Sequence, residues 1–180
     1  METTELVWQQ QFTSESRLTG SLYRNRVNDS ILDAIFLNTS GSITIGQELG
    51  IEHVEQDGIR LNTSIAHQTA TDGHGNPLVN SPHWLGKLNI VQPLFHNQVN
   101  AGFEVQNTGR RYDYTGASVK ANTVANLTFN ARRLVEDVNV SLSIRNVFNS
   151  QQNDVQDFAV LHTMPLPGRQ YWLQLEYTLK

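Results

Sequence analysis

Tyr171-Trp172-Leu173-Gln174-Leu175-Glu176-Tyr177-Thr178-Leu179-Lys180 is the stretch on which the fold turns. In an extended chain, Tyr171, Leu173, Leu175, Tyr177 and Leu179 fall on one side, and Trp172, Gln174, Glu176, Thr178 and Lys180 on the other. A helix needs apolar residues three and four apart, and that spacing is missing here. The period of two recurs upstream. Val138, Val140, Leu142 and Ile144 alternate with Asn139, Ser141, Ser143 and Arg145. Ala125, Leu127, Phe129 and Ala131 alternate with Asn126, Thr128, Asn130 and Arg132, and Val99, Ala101, Phe103 and Val105 with Asn100, Gly102, Glu104 and Gln106. Ile43, Ile45, Leu49 and Ile51 alternate with Thr44, Gly46, Glu48 and Glu52. The stretch from Leu18 to Ile35 is less regular, which predicts a bulge or register change there.

Nine strands are predicted, over 4–13, 17–35, 42–54, 59–71, 84–92, 98–108, 123–132, 138–148 and 169–179. Most have the roughly nine to eleven residues that a tilted strand needs to cross a bilayer. Their connections alternate. Short ones fall at Ser14–Ser16, Glu55–Gly58, Pro93–Asn97 and Leu134–Asp137; longer polar ones at Asp72–His83, Gly109–Asn122 and Gln151–Gly168. The link at Phe36–Gly41 is of the long set by order, though short. Short turns at one end and long loops at the other are the pattern of a transmembrane β-barrel, with the turns on the periplasmic side. By that count the first strand runs inward from outside. A single-chain bacterial barrel has an even strand number, so nine strands predict a chain cut within a larger barrel. The start, Met-Glu-Thr-Thr-Glu, has neither the basic nor the apolar region of a signal peptide, which fits the same expectation.

Composition narrows the function. The 180 residues carry a formal charge of -4 with scattered signs, which argues against nucleic acid as a partner. With no cysteine, a thiol nucleophile and a Cys-ligated zinc site are excluded. No apolar run approaches the ~18 residues of a membrane helix. Alternating membrane strands average to a polar hydropathy, so that average does not exclude a membrane protein.

Three motifs carry a family resemblance. Asn80-Ser81-Pro82-His83-Trp84-Leu85-Gly86-Lys87-Leu88-Asn89 resembles the segment of TonB-dependent outer-membrane receptors where a loop ends in Ser-Pro and a strand begins. Ser143-Ile144-Arg145-Asn146-Val147-Phe148-Asn149 resembles their penultimate strand, with Val147 and Asn149 where Leu and Asp are usual. Pro167-Gly168-Arg169-Gln170-Tyr171-Trp172, followed by Leu175-Glu176-Tyr177, resembles their last strand. Their order and their place before the chain end strengthen the match. The resemblance implies an all-β fold, about the last nine strands of a 22-stranded antiparallel barrel, with residues 1–180 as its C-terminal part and the plug domain and signal peptide absent. It implies energy-coupled uptake of a scarce ligand such as a ferric siderophore, vitamin B12 or haem, in the bacterial outer membrane. Implied partners are outer-membrane lipid and lipopolysaccharide, the missing plug and strands, the TonB complex through that plug, and the barrel-assembly machinery. The family usually ends in an aromatic assembly signal. Here Tyr171, Tyr177 and Leu179 hold the corresponding stripe, and Lys180 follows.

Several residues are candidates for chemistry. In the alternation, Phe103, Leu127, Leu142, Leu173 and Leu175 are expected to face lipid. Arg110-Arg111-Tyr112-Asp113-Tyr114 pairs bidentate cations with flat rings, which suits an anionic ligand at an outer loop through Arg110, Arg111, Tyr112 and Tyr114. The same residue types also anchor barrel loops at headgroup level. Arg132-Arg133 reads as the periplasmic boundary, pairing with Glu136 or Asp137, or as a basic patch for TonB. Asp72, His74 and His83 share a loop, but their spacing fits no zinc or calcium template and no metal is expected. No cofactor is expected. No nucleophile elbow, zinc-protease motif or phosphate loop is present, so no enzyme activity is expected. Two rivals remain: a small soluble β-barrel that holds one apolar ligand, and an adhesin-like structural protein.

Overall fold

The computed structural model describes residues 1–32, 37–135, 137–155 and 163–178. Among the described residues the chain is all-β, and nine strands form one antiparallel sheet. In order they are β1 (Glu2–Gln11), β2 (Ser16–Leu32), β3 (Leu37–Val54), β4 (Arg60–Asp72), β5 (Trp84–Leu94), β6 (Val99–Thr108), β9 (Asn122–Val135), β10 (Val138–Arg145) and β13 (Gln170–Tyr177). Two small hairpins lie in the loops: β7 (Arg111–Tyr112) with β8 (Ser118–Val119), and β11 (Asn153–Val155) with β12 (Thr163–Pro165). Apart from these, each strand pairs with the next in the chain, so the topology is a meander with β1 and β13 as its edges.

The register decides what the alternation means. Directly paired residues share a face of a sheet, so the faces can be traced across it. Leu175 pairs with Val140, Leu173 with Leu142, Leu142 with Phe129, and Phe129 with Ala101. Leu127 lies between Ile144 and Phe103, Phe103 pairs with Ile90, and Ile90 with Leu61. Four residues further along β4, Ile65 pairs with Leu49, Leu49 with Gly20, and Gly20 with Trp8. All the apolar sets of the sequence therefore meet on one face. A slip of one residue in any pairing would send that strand's set to the other face. The large side chains of this face are uncovered: Leu173 is 66% exposed and Leu175 67%.

The opposite face is polar and hydrogen-bonded across strands. Asn126 Nδ2 donates to Glu104 at 3.3 Å, and Asn139 Nδ2 to Glu176 at 3.3 Å. The Thr128 and Ser143 hydroxyls lie 3.2 Å apart. Arg17 and Glu52 form an ion pair near the short-turn end. Arg145 stacks over Trp172 on this face, 5.1 Å from the ring centroid. Tyr23 lies across Gly46, where a Cβ would collide with its ring, and its hydroxyl reaches Gln68 at 3.1 Å. Gly46 sits between Tyr23 and Gln68 in the register, so the missing side chain is what lets the ring bridge two strands.

Three expectations need correction. The irregular stretch after Leu18 has no register shift: β2 and β3 keep one register from Ser16–His53 to Leu32–Leu37. The shift lies between β9 and β10, at Val138–Val140. The irregularity arises because Arg24 and Arg26 take up apolar-face positions at the loop end of β2. The link at Phe36–Gly41 is shorter still, since Leu37 already pairs with Leu32. Finally, the strand predicted to reach residue 148 stops at Arg145. Asn146 takes φ 51° and Asn149 φ 53°, and a left-handed residue cannot continue a strand.

Candidate functional site

The short turns gather at one end of the sheet and the long loops at the other. The turns contain left-handed residues in place of length: Gly58 at φ 92°, Phe95, His96 and Asn97 at 50–67°, and Asp137 at 65°. The long loops fold into a layer of their own, and Arg111 is its centre. This side chain is only 9% exposed. Its Nη1 donates to Asn80 Oδ1 at 3.2 Å and pairs with Asp154 Oδ1 at 3.1 Å, while Nη2 donates to the Asn153 carbonyl at 2.9 Å. One guanidinium thus ties the β4–β5, β6–β9 and β10–β13 loops together. Its planar fork suits the task, because it offers several donors in fixed directions. The Nε is buried with no hydrogen-bond partner. The Asn80 amide donates to the Tyr112 carbonyl at 2.9 Å, a second link between the first two loops.

Each loop is also organised locally. Asp113, 4% exposed, accepts from the Thr115 amide at 2.9 Å, the Thr115 hydroxyl at 2.6 Å and the Ala117 amide at 2.9 Å, which closes the β7–β8 turn over Gly116. Asp72 accepts from the amides of Asn76 at 2.8 Å and His74 at 2.9 Å. Hydrogen bonds from Asn76, then from His74, hold the Asp72 carboxyl below its ordinary range. His83 donates from Nδ1 to the Gln68 carbonyl at 3.1 Å. Asp72 and His83 are therefore engaged in loop structure, and among the described residues no three His, Asp or Glu side chains converge as metal ligands.

The penultimate-strand motif has a physical basis. Asn146, 3% exposed, donates from Nδ2 to the Ser150 carbonyl and accepts from the Ser150 amide, both at 2.9 Å. Asn149 Oδ1 accepts from the Arg169 amide at 2.9 Å, fixing where the last strand begins. A Cβ at Gly168 would lie 2.5 Å from that same Oδ1, so glycine is needed there. Asparagine suits both strand-ending positions because it tolerates the left-handed region and carries its own hydrogen-bonding groups.

Of the residues singled out for ligand contact, Arg110 and Tyr114 are exposed, Tyr112 is half-buried, and Arg111 is buried in the clamp. Beside them lies a polar cleft of about 450 Å³, lined by Asp113, Lys120, Asn122, Gln151, Gln152 and Asn153. Sequence reasoning missed Lys120, Gln151 and Gln152: they come from loops some thirty residues apart, and no local pattern marks them. Phe103, Leu127, Leu142, Leu173 and Leu175 share the apolar face, as do Tyr171 and Tyr177, at the loop and turn ends of the last strand. Leu179 and Lys180 lie outside the described residues, as does Glu136, one of the two suggested partners of Arg132-Arg133.

Over 97% of its length the chain superposes on the siderophore receptor PiuA from Acinetobacter baumannii, with a TM-score of 0.76. It has the fold of part of a TonB-dependent receptor barrel. Sequence identity to PiuA is 17%, and the chain covers 28% of that protein. The ferric yersiniabactin uptake receptor FyuA from Yersinia pestis matches over 97% of the chain and 30% of its own, at TM-score 0.74 and 13% identity. The copper transporter OprC matches over 98% of the chain and 31% of its own, at TM-score 0.73 and 16% identity. The chain thus spans about three-tenths of the receptors it matches. No family model and no curated sequence matches it.

Proposed function

We propose that this chain forms barrel wall and outer loops of an outer-membrane receptor for energy-coupled uptake of a scarce ligand, and that the ligand is a ferric siderophore. The observation that carries the reading is the register. It collects the apolar alternation of nine strands on a single uncovered face, while the polar face is knitted by cross-strand hydrogen bonds. A wall between lipid and a hydrated lumen needs both properties, with backbone groups satisfied between strands. A chelate carrying negative charge would suit the exposed Arg110 and Tyr114 and the half-buried Tyr112, with Arg111 holding the loops in place. Binding and guiding a chelate requires no bond to be made or broken by the wall or its loops. Tyr171 and Tyr177 would sit at the two headgroup levels, and the end of β13 would be presented to the assembly machinery.

Fractionation tests the membrane part: the chain should need detergent or lipid, and recovery from the aqueous supernatant would favour a small soluble barrel. Uptake tests the transport part. A receptor containing this wall should import labelled ferric siderophore only while the inner membrane is energised. Cells making these 180 residues alone should import none, because the unpaired edges of β1 and β13 cost several kcal/mol per backbone group in lipid.

A further inference from the structure

On the apolar face, the first strands form a groove. Gly20 faces outward between Trp8 and Leu49, and a Cβ there would already lie 3.5 Å from the Trp8 ring. Leu6, Trp8, Leu22, Leu49, Ile65 and Trp84 line a cavity of about 480 Å³ at this point. Trp84 and His67 close one wall as a tilted pair, with ring centroids 4.4 Å apart. A second cavity of about 670 Å³ shares Leu6, Leu22 and His67 with the first and extends the groove along β2 to Arg24. Beyond Arg24 on the same face stands Arg26, roughly 7 Å further along the strand.

The charge at this end of the groove is its second feature. Both arginines are exposed on the face that carries the apolar side chains of these strands. Their cross-strand neighbours on this face are Thr4 and Ile45 for Arg24, and Glu2 and Ile43 for Arg26. Glu2 is the one acidic residue among these four neighbours, against two arginines. A cleft with an apolar floor, an aromatic wall and a cationic mouth is complementary to an acyl chain ending in an anion. Guanidinium prefers planar, bidentate contact, which phosphate oxygens supply. Arg24 lies one outward position beyond the row that holds Leu22, His67 and Trp84, so the anion would sit just above the aromatic level.

We propose that this groove is a specific site for one phosphate-bearing acylated lipid of the outer leaflet. Its acyl chain lies along Gly20 between Trp8 and Trp84, and its phosphate is held by Arg24 and Arg26. The inference rests on the membrane reading above and adds to it a chemical preference at one place on the wall.

Tryptophan quenching by lipids with brominated chains tests it, on the full chain in neutral detergent micelles. Trp8 is observed in Trp84→Phe/Trp172→Phe, and Trp172, on the polar face, in Trp8→Phe/Trp84→Phe. Brominated phosphatidic acid should quench Trp8 at a mole fraction at least tenfold lower than brominated phosphatidylcholine. Arg24→Gln/Arg26→Gln should reduce that preference to less than twofold, and Arg24→Lys/Arg26→Lys should keep most of it, since the charge survives. Equal quenching of Trp8 by the two lipids, or a preference that persists in the glutamine variant, overturns the site while leaving the membrane face intact. Quenching of Trp172 in place of Trp8 overturns the face assignment, and the site with it.

Discussion

In the sheet, Leu142 and Leu173 face each other from neighbouring strands, and another apolar residue of similar size would serve at either position. In the loop layer, Arg111 contacts Asn80, Asn153 and Asp154 at once, and no other residue type could replace it. The wall is held by repetition. Each strand contributes the same backbone ladder and the same alternation, so the loss of one side chain is local. The layer is held by a few convergent contacts between distant segments, so the loss of one side chain loosens three loops at once.

The largest expected effect tests the wall. Leu142→Arg should destabilise the folded protein in lipid by about 2–4 kcal/mol, and Leu127→Arg similarly, while Ser143→Arg on the polar face costs far less. Denaturant unfolding from liposomes measures the difference. Equal costs at positions 142 and 143 would abolish the distinction between the faces.

The clamp comes next. Arg111→Met keeps much of the side-chain volume but removes its hydrogen bonds. Opening of the loops should become easier by about 1–3 kcal/mol, the range for leaving buried polar partners unmatched. Asp154 is 41% exposed, so its ion pair contributes little of this. Hydrogen exchange should quicken in residues 73–83, 109–121 and 146–155 and stay unchanged in β3 and β4. Exchange that quickens evenly over the whole chain would mean that wall and layer are one unit.

A smaller effect separates conformation from hydrogen bonding at the junction of the two regions. Asn149→Gly keeps the positive φ and loses the bond to Arg169, which should cost about 1 kcal/mol. Asn149→Ala adds backbone strain of about 1 kcal/mol or more. Thermal unfolding should therefore rank wild type above Asn149→Gly, and that above Asn149→Ala.

The smallest effect concerns Asp72, the last residue of β4, where the strand turns into the loop. Its carboxyl titrates below the ordinary range because Asn76 and His74 donate to the charged form. Ionised Asp72 therefore stabilises the turn at any pH above the ordinary carboxylate value, and that contribution is lost as pH falls through the lowered one. The amide signals of His74 and Asn76 should shift together in that acidic window. In Asp72→Ala this shared transition should be absent.

The sequence by itself determined the strands, their alternation and the end at which the loops are long. Those are local properties. Side chains alternate because of backbone geometry, and turns announce themselves through residues such as Gly58 and Asn97 that accept a positive φ. It also marked Asn146 and Asn149 as a motif without saying why asparagine stands there. The tertiary structure decided the rest. Only register shows that the apolar sets of nine strands share one face, since each strand alone is equally consistent with either side. Only the folded loops show Arg111 buried as a clamp, because its partners Asn80 and Asn153 lie 31 and 42 residues away and no short-range pattern encodes such a meeting.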